Sequence, residues 1–214
     1  MRILVVGEGA HEVPPPAEQE EGVSGPAGAL AIFVSRLLSG ENEYAYDRVR
    51  RVKELRKKMP GAKRLHGVRG RKGMKRTSLL WMLHAQQTGY DALVLVVDND
   101  QQPDRIKEIN EAQDSDHVRI SRALGVAIES FDAWILADEV ALSWVLDRPV
   151  ETQPDPESIP YPKPRCKELA FDALNAVVLR EVYAAVAEHA DLNKVKQRCP
   201  KGFAPFAQRV RALD

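Results

Sequence analysis

Ala92-Leu93-Val94-Leu95-Val96-Val97-Asp98-Asn99-Asp100 is the stretch that decides the fold. An unbroken aliphatic run, with no alternation of polar residues, predicts a strand covered on both faces, as at the centre of a parallel sheet. Two other segments have the same form. Ile3-Leu4-Val5-Val6 runs into Gly7-Glu8-Gly9, and Val126-Ala127-Ile128 runs into Glu129. In a parallel α/β sheet the carboxyl ends of the strands share one edge, where ligands bind. Each of the three strands therefore delivers a carboxylate to that edge.

Working outward, the periodicity alternates between strand and helix. Met1–Gly7 reads as a strand and His11–Pro26 as a mobile Pro-, Glu- and Gly-rich loop. Ala27–Leu38 has helical spacing through Leu30, Phe33, Val34 and Leu37. Glu43–Val52 reads as a strand passing into a short basic helix that Pro60-Gly61 ends. Met74–Thr88 and Pro103–Gln113 read as helices, Val118–Ile128 as containing a strand, and Phe131–Leu146 as one helix. This alternation predicts an α/β fold with a mainly parallel central sheet flanked by helices. Pro149 to Pro164 carries six prolines and reads as a semi-rigid extended linker. Helices over Cys166–Val186 and Lys201–Leu213 follow. The expected organisation is an α/β domain over 1–148, a linker over 149–164, and a helical extension over 165–214 docked on the body.

Composition narrows the function classes. The chain has 214 residues, of which 44% are hydrophobic, enough for an ordinary globular core. It contains no apolar run long enough to span a membrane. Two cysteines and five scattered histidines give no zinc-ligand spacing. The two cysteines and the strand at the start of the chain favour a reducing, cytoplasmic setting. There is no Walker A ending: Gly25-Pro26-Ala27-Gly28 lacks the Lys-Ser/Thr pair.

The chemistry lies in the carboxylates. Acidic side chains gathered at one sheet edge repel one another unless a cation neutralises them. Mg²⁺ suits one to three carboxylates with water in its remaining positions. Asp98 and Asp100, two apart on an extended chain, can face one side and hold one ion or bridge two. The competing reading is an Asx-rich turn or a helix cap near Pro103. Glu129 and Asp132 read either as further ligands or as charges favoured at a helix start. Trp134 reads as core and Asp138 as structural.

These residues carry a resemblance. Glu8-Gly9-Ala10-His11-Glu12 resembles the EGxxE variant of the Toprim glutamate motif, and Asp98-Asn99-Asp100 the Toprim DxD. Glu129-Ser130-Phe131-Asp132-Ala133-Trp134-Ile135-Leu136-Ala137-Asp138 and Cys199-Pro200-Lys201-Gly202-Phe203-Ala204-Pro205-Phe206 extend the similarity to a Toprim-like family of the DUF4276 type. The departure is His11, where the family has Thr or a similar small polar residue. The resemblance implies a Toprim-like fold related to the domains of OLD-type nucleases, primases and topoisomerases. It implies Mg²⁺ or Mn²⁺ as cofactor, with Glu8, Asp98 and Asp100 both catalytic and metal-ligating; Glu129, from its place at a strand end, is a further candidate ligand. It also implies association with a partner ATPase, in settings resembling anti-phage defence.

The balance of 31 cationic and 31 acidic residues hides an asymmetry. From Arg48 to Arg76 the only acidic residue among many cations is Glu54. Gly67, Gly70 and Gly73 interleave the later cations, and glycines let backbone amides approach an anion. Arg64, Arg69, Arg71, Lys72, Lys75 and Arg76 are the candidate nucleic-acid-binding residues; a solvated helix face is the alternative. The function expected is metal-dependent phosphodiester hydrolysis of nucleic acid. The alternatives are a non-catalytic adaptor that binds a partner protein or nucleic acid, and a small-molecule phosphohydrolase.

Overall fold

The structure, a computed structural model, describes residues 1–14, 27–58, 73–170 and 176–214. It is an α/β fold with a four-stranded, all-parallel sheet in the order β2-β1-β3-β4. The strands are β1 (Arg2–Gly7), β2 (Glu43–Arg48), β3 (Ala92–Asp98) and β4 (Ser121–Ala127). Helices connect them, as parallel strands require. Helix α1 (Ala29–Leu37) joins β1 to β2; α2 (Val52–Lys58) and α3 (Met74–Gln87) lie between β2 and β3; α4 (Asp104–Gln113) joins β3 to β4.

The period of two along each strand sorts the core into two layers. Ile3, Val5, Val94, Val96, Ala123 and Ala127 face a layer that includes residues of α1 and the C-terminal helices. Leu4, Val6, Leu93, Leu95, Val97, Leu124 and Val126 face α3 and α4. Strand β3 has neighbours on both sides and layers on both faces, so Ala92–Val97 are fully buried.

After β4 the chain forms α5 (Asp132–Leu136), α6 (Glu139–Leu146), α7 (Pro162–Ala170), α8 (Ala176–His189), α9 (Leu192–Arg198) and α10 (Phe203–Arg211). The single helix expected over Phe131–Leu146 is two. Asp138 starts the second: its side chain accepts from the amides of Val140 and Ala141. The same carboxylate accepts from the Asp191 amide and Lys194, tying α6 to α9. Helix α8 packs on α1, and α10 packs on β4. Phe206 lies over Gly125, where an added Cβ would sit 2.7 Å from its ring.

The proline-rich segment is less extended than expected. A 3-10 turn at Pro156–Ser158 buries Glu157, whose carboxylate accepts from the amides of Lys201 and Gly202. Pro162 and Pro164 lie in the first turn of α7, where a missing N–H costs nothing. The remainder of the mobile loop predicted from His11, and residues 171–175 of the helix expected over Cys166–Val186, lie outside the described residues.

Candidate functional site

The site forms where β1 and β3 end side by side. Their register pairs Val6 with Leu95, so two residues further on Glu8 runs level with Val97 and Asp98. A backbone hydrogen bond from Asp98 meets the Glu8 carboxylate. Glu8, His11, Glu12, Asp98, Asp132, Lys163 and Tyr183 line a cavity of about 230 Å³ at this edge.

The turn after β1 is built by Glu12. Its buried carboxylate accepts from the amides of Glu8 and Gly9, each at 2.8 Å. A Cβ at Gly7 or Gly9 would stand 2.7 or 2.6 Å from the same carboxylate. The group these two glycines admit is Glu12. The carbonyls of His11 and Glu12 then accept from the amides of Ala29 and Leu30, closing the start of α1. Gly28 passes so close to the Glu12 carbonyl that no Cβ fits. The loop is thus clamped between the sheet and α1, and Glu8 projects from it.

The carboxylates are crowded and dry. Burial raises the pKa of Glu8; Arg105 opposes the rise and Asp100 adds to it. Burial, with the charge of Asp98 next, pushes Glu12 well up. Asp98 rises from 3.8 to about 7, chiefly through burial, with Glu8, Asp132 and Asp100 adding repulsion. The Phe131 amide donates to Asp98 Oδ1 at 2.8 Å and works the other way. His11 is lowered by burial and then by Lys163, with Arg180 and Arg48 contributing and Asp132 opposing. Its ring packs 5.3 Å from that of Tyr183, and among the described residues its buried Nδ1 has no hydrogen-bond partner.

The remaining predicted residues are placed differently. Asp100 is half exposed, adopts a left-handed backbone (φ 46°), and pairs with Arg105 at 3.0 Å. Glu129 also has a left-handed backbone (φ 59°), and its carbonyl accepts from the Asp100 amide. The Glu129 side chain does not line the cavity; Asp132, three residues on, does. Asp132 is itself engaged, accepting from Tyr183 and, at 2.8 Å, from Ser130. Arg64, Arg69, Arg71 and Lys72 lie outside the described residues. Lys75 pairs with Glu111 at 2.9 Å. Arg76 lines a separate cleft of about 840 Å³ with Lys57, Arg105 and Glu108.

Among the described residues, no three carboxylate, histidine or cysteine side chains converge as a preformed metal centre. Two carboxylates suffice for Mg²⁺ or Mn²⁺ with water completing the shell. Glu8 and Asp98 fit that role, because they are adjacent and desolvated, and the charge of Glu8 raises Asp98. Sequence reasoning missed Arg105 and Tyr183, which carry no motif signal of their own, and left Asp132 open between a further ligand and a helix-start charge. Comparison of the chain with protein-family models, curated proteins and solved structures returned no match.

Proposed function

We propose that this protein is a divalent-metal-dependent phosphodiesterase acting on nucleic acid, with Glu8 and Asp98 holding the ion. The observation that carries the reading is the pairing of these two carboxylates at the ends of adjacent parallel strands, both raised by burial. Such a pair is unfavourable until a cation neutralises it. A bound Mg²⁺ or Mn²⁺ supplies charge neutralisation on the phosphoryl oxygens and an acidified water.

The chain's own groups divide the remaining work. Asp98, raised to about 7 by burial, would hold the ion as its carboxylate, its proton passing to solvent. Glu8 is less buried than Glu12 and its pKa is raised by burial, so it can take the proton of an attacking water. Glu12 keeps Glu8 and Gly9 in place. Lys163, exposed at the cavity mouth, attracts the phosphate. The decisive experiment is a cleavage assay on single- and double-stranded DNA and RNA, with Mg²⁺ and with Mn²⁺, beside Glu8→Ala. Metal-dependent cleavage lost in that variant supports the reading; cleavage that survives it removes Glu8 from the chemistry.

One observation favours hydrolysis of a small phosphate ester instead. The cavity of about 230 Å³ falls below the roughly 300–1,000 Å³ of ordinary ligand pockets, so it accepts little more than a phosphoryl group. A mononucleotide substrate in the same assay separates the two.

A further inference from the structure

We infer that Arg105 is the site's built-in counter-ion, and that a divalent cation must displace it to bind. The inference rests on the metal reading above and concerns how that site is regulated. One guanidinium nitrogen, Nη1, serves the residues of both strand ends. It donates to the Asp98 carbonyl, and it lies 3.0 Å from Asp100 Oδ2 and 3.7 Å from Glu8 Oε1. The Arg105 side chain is only 14% exposed, so water screens its charge weakly.

Its position on α4 makes the same point. Arg105 stands in the first turn of that helix, where the macrodipole disfavours a cation. Local helix electrostatics therefore do not explain its inward placement; the carboxylates of Glu8 and Asp100 do. Metal and guanidinium both draw on the Glu8 carboxylate, and two cations beside it repel one another, so they compete. The displaced side chain has somewhere to go. Arg105 also lines the larger cleft, where its helix neighbours Asp104 and Glu108 present carboxylates. There it would stand beside Arg76 and Lys57, a cationic wall fit for the phosphates of a bound strand.

The test is Mn²⁺ binding to the full chain, followed by calorimetry and by loss of the free Mn²⁺ spin-resonance signal. Arg105→Gln removes the competitor and should tighten Mn²⁺ binding by roughly tenfold, the order expected for one nearby charge. Arg105→Lys keeps a cation there and should bind much as the wild type does. In wild-type protein labelled at arginine nitrogens, Mg²⁺ should shift the Arg105 Nε–H resonance, a readout that needs no variant to fold. Unchanged or weaker Mn²⁺ binding by folded Arg105→Gln, with an unmoved Arg105 resonance, overturns the counter-ion role and leaves the metal site standing. No Mn²⁺ uptake by wild type, Arg105→Gln or a Glu8→Gln control overturns the inference together with the metal reading.

Discussion

Asp98 shows how much one residue's meaning depends on its surroundings. In the sequence it is the end of an aliphatic strand; in the fold, burial and neighbouring carboxylates lift it from 3.8 to about 7. Its folded value is above its unfolded value, so its contribution to stability is fully present below about pH 4. That contribution is lost as pH rises through about 7. Asp98→Asn, which keeps the acceptor for the Phe131 amide, should remove this loss. Urea denaturation should show wild type and variant converging near pH 4. At pH 8 the variant should be the more stable, by up to about 4 kcal/mol. Parallel curves across that range would show that Asp98 is not the titrating group. Gly9 makes a complementary case. A methyl there would stand 2.6 Å from Glu12 Oε1, and that oxygen is held by the Gly9 amide itself. Gly9→Ala should cost about 1–3 kcal/mol in chemical denaturation and weaken Mn²⁺ binding, because the loop carrying Glu8 must shift. The EG pair was legible in the sequence. Its dependence on Glu12 was not, because only the turn's geometry brings that carboxylate back onto two amides.

Among the elements, the strands carry the plainest signal in the sequence. β1, β3 and β4 carry aliphatic runs whose burial on both faces leaves a signal in composition alone. Helices were harder where a polar residue inside an apolar run changes the backbone. Asp138 looks like one more helical position in Phe131–Leu146, yet its side chain caps a new helix and receives Lys194 from far along the chain. The 3-10 turn at Glu157 was invisible for the same reason: its two amide partners lie at Lys201 and Gly202. Docking of α10 follows a legible residue type, since Phe203 and Phe206 are too large and apolar to leave in water. Their partner is what only the fold supplies. Phe206 sits on Gly125 and stacks against Trp134 at 5.3 Å. Phe206→Ala should therefore destabilise the protein by about 3–5 kcal/mol, measured by urea unfolding. A smaller loss, under about 1 kcal/mol, would mean that α10 does not share the core of the sheet.

For the whole molecule, the open quantity is how charge is arranged around the carboxyl edge of the sheet. The dense run of cations ahead of α3 predicts a phosphate partner, and Arg76 stands at the cleft that Arg105 shares. Replacing Arg69, Arg71, Lys72 and Arg76 together should weaken nucleic-acid binding steeply at low salt and little at high salt. The log–log salt slope on duplex DNA should fall by about one unit for each phosphate that is no longer neutralised. Affinity unchanged at low ionic strength would assign the run to solvent or to a protein partner. Among the described residues no helix is long and apolar enough to cross a membrane. The sequence by itself determined the fold class, the alternation of strands and helices as far as β4, and the carboxylates at the strand ends. All three follow from local periodicity and from where apolar runs stop. The tertiary structure alone decided which carboxylates work together. It set Glu8 beside Asp98, turned Asp100 outward to Arg105, and left Glu129 off the cavity with Asp132 lining it. The physical reason is that proximity, desolvation and charge pairing act through space. Residues scores of positions apart set each other's ionisation only after parallel strands bring their ends to one edge.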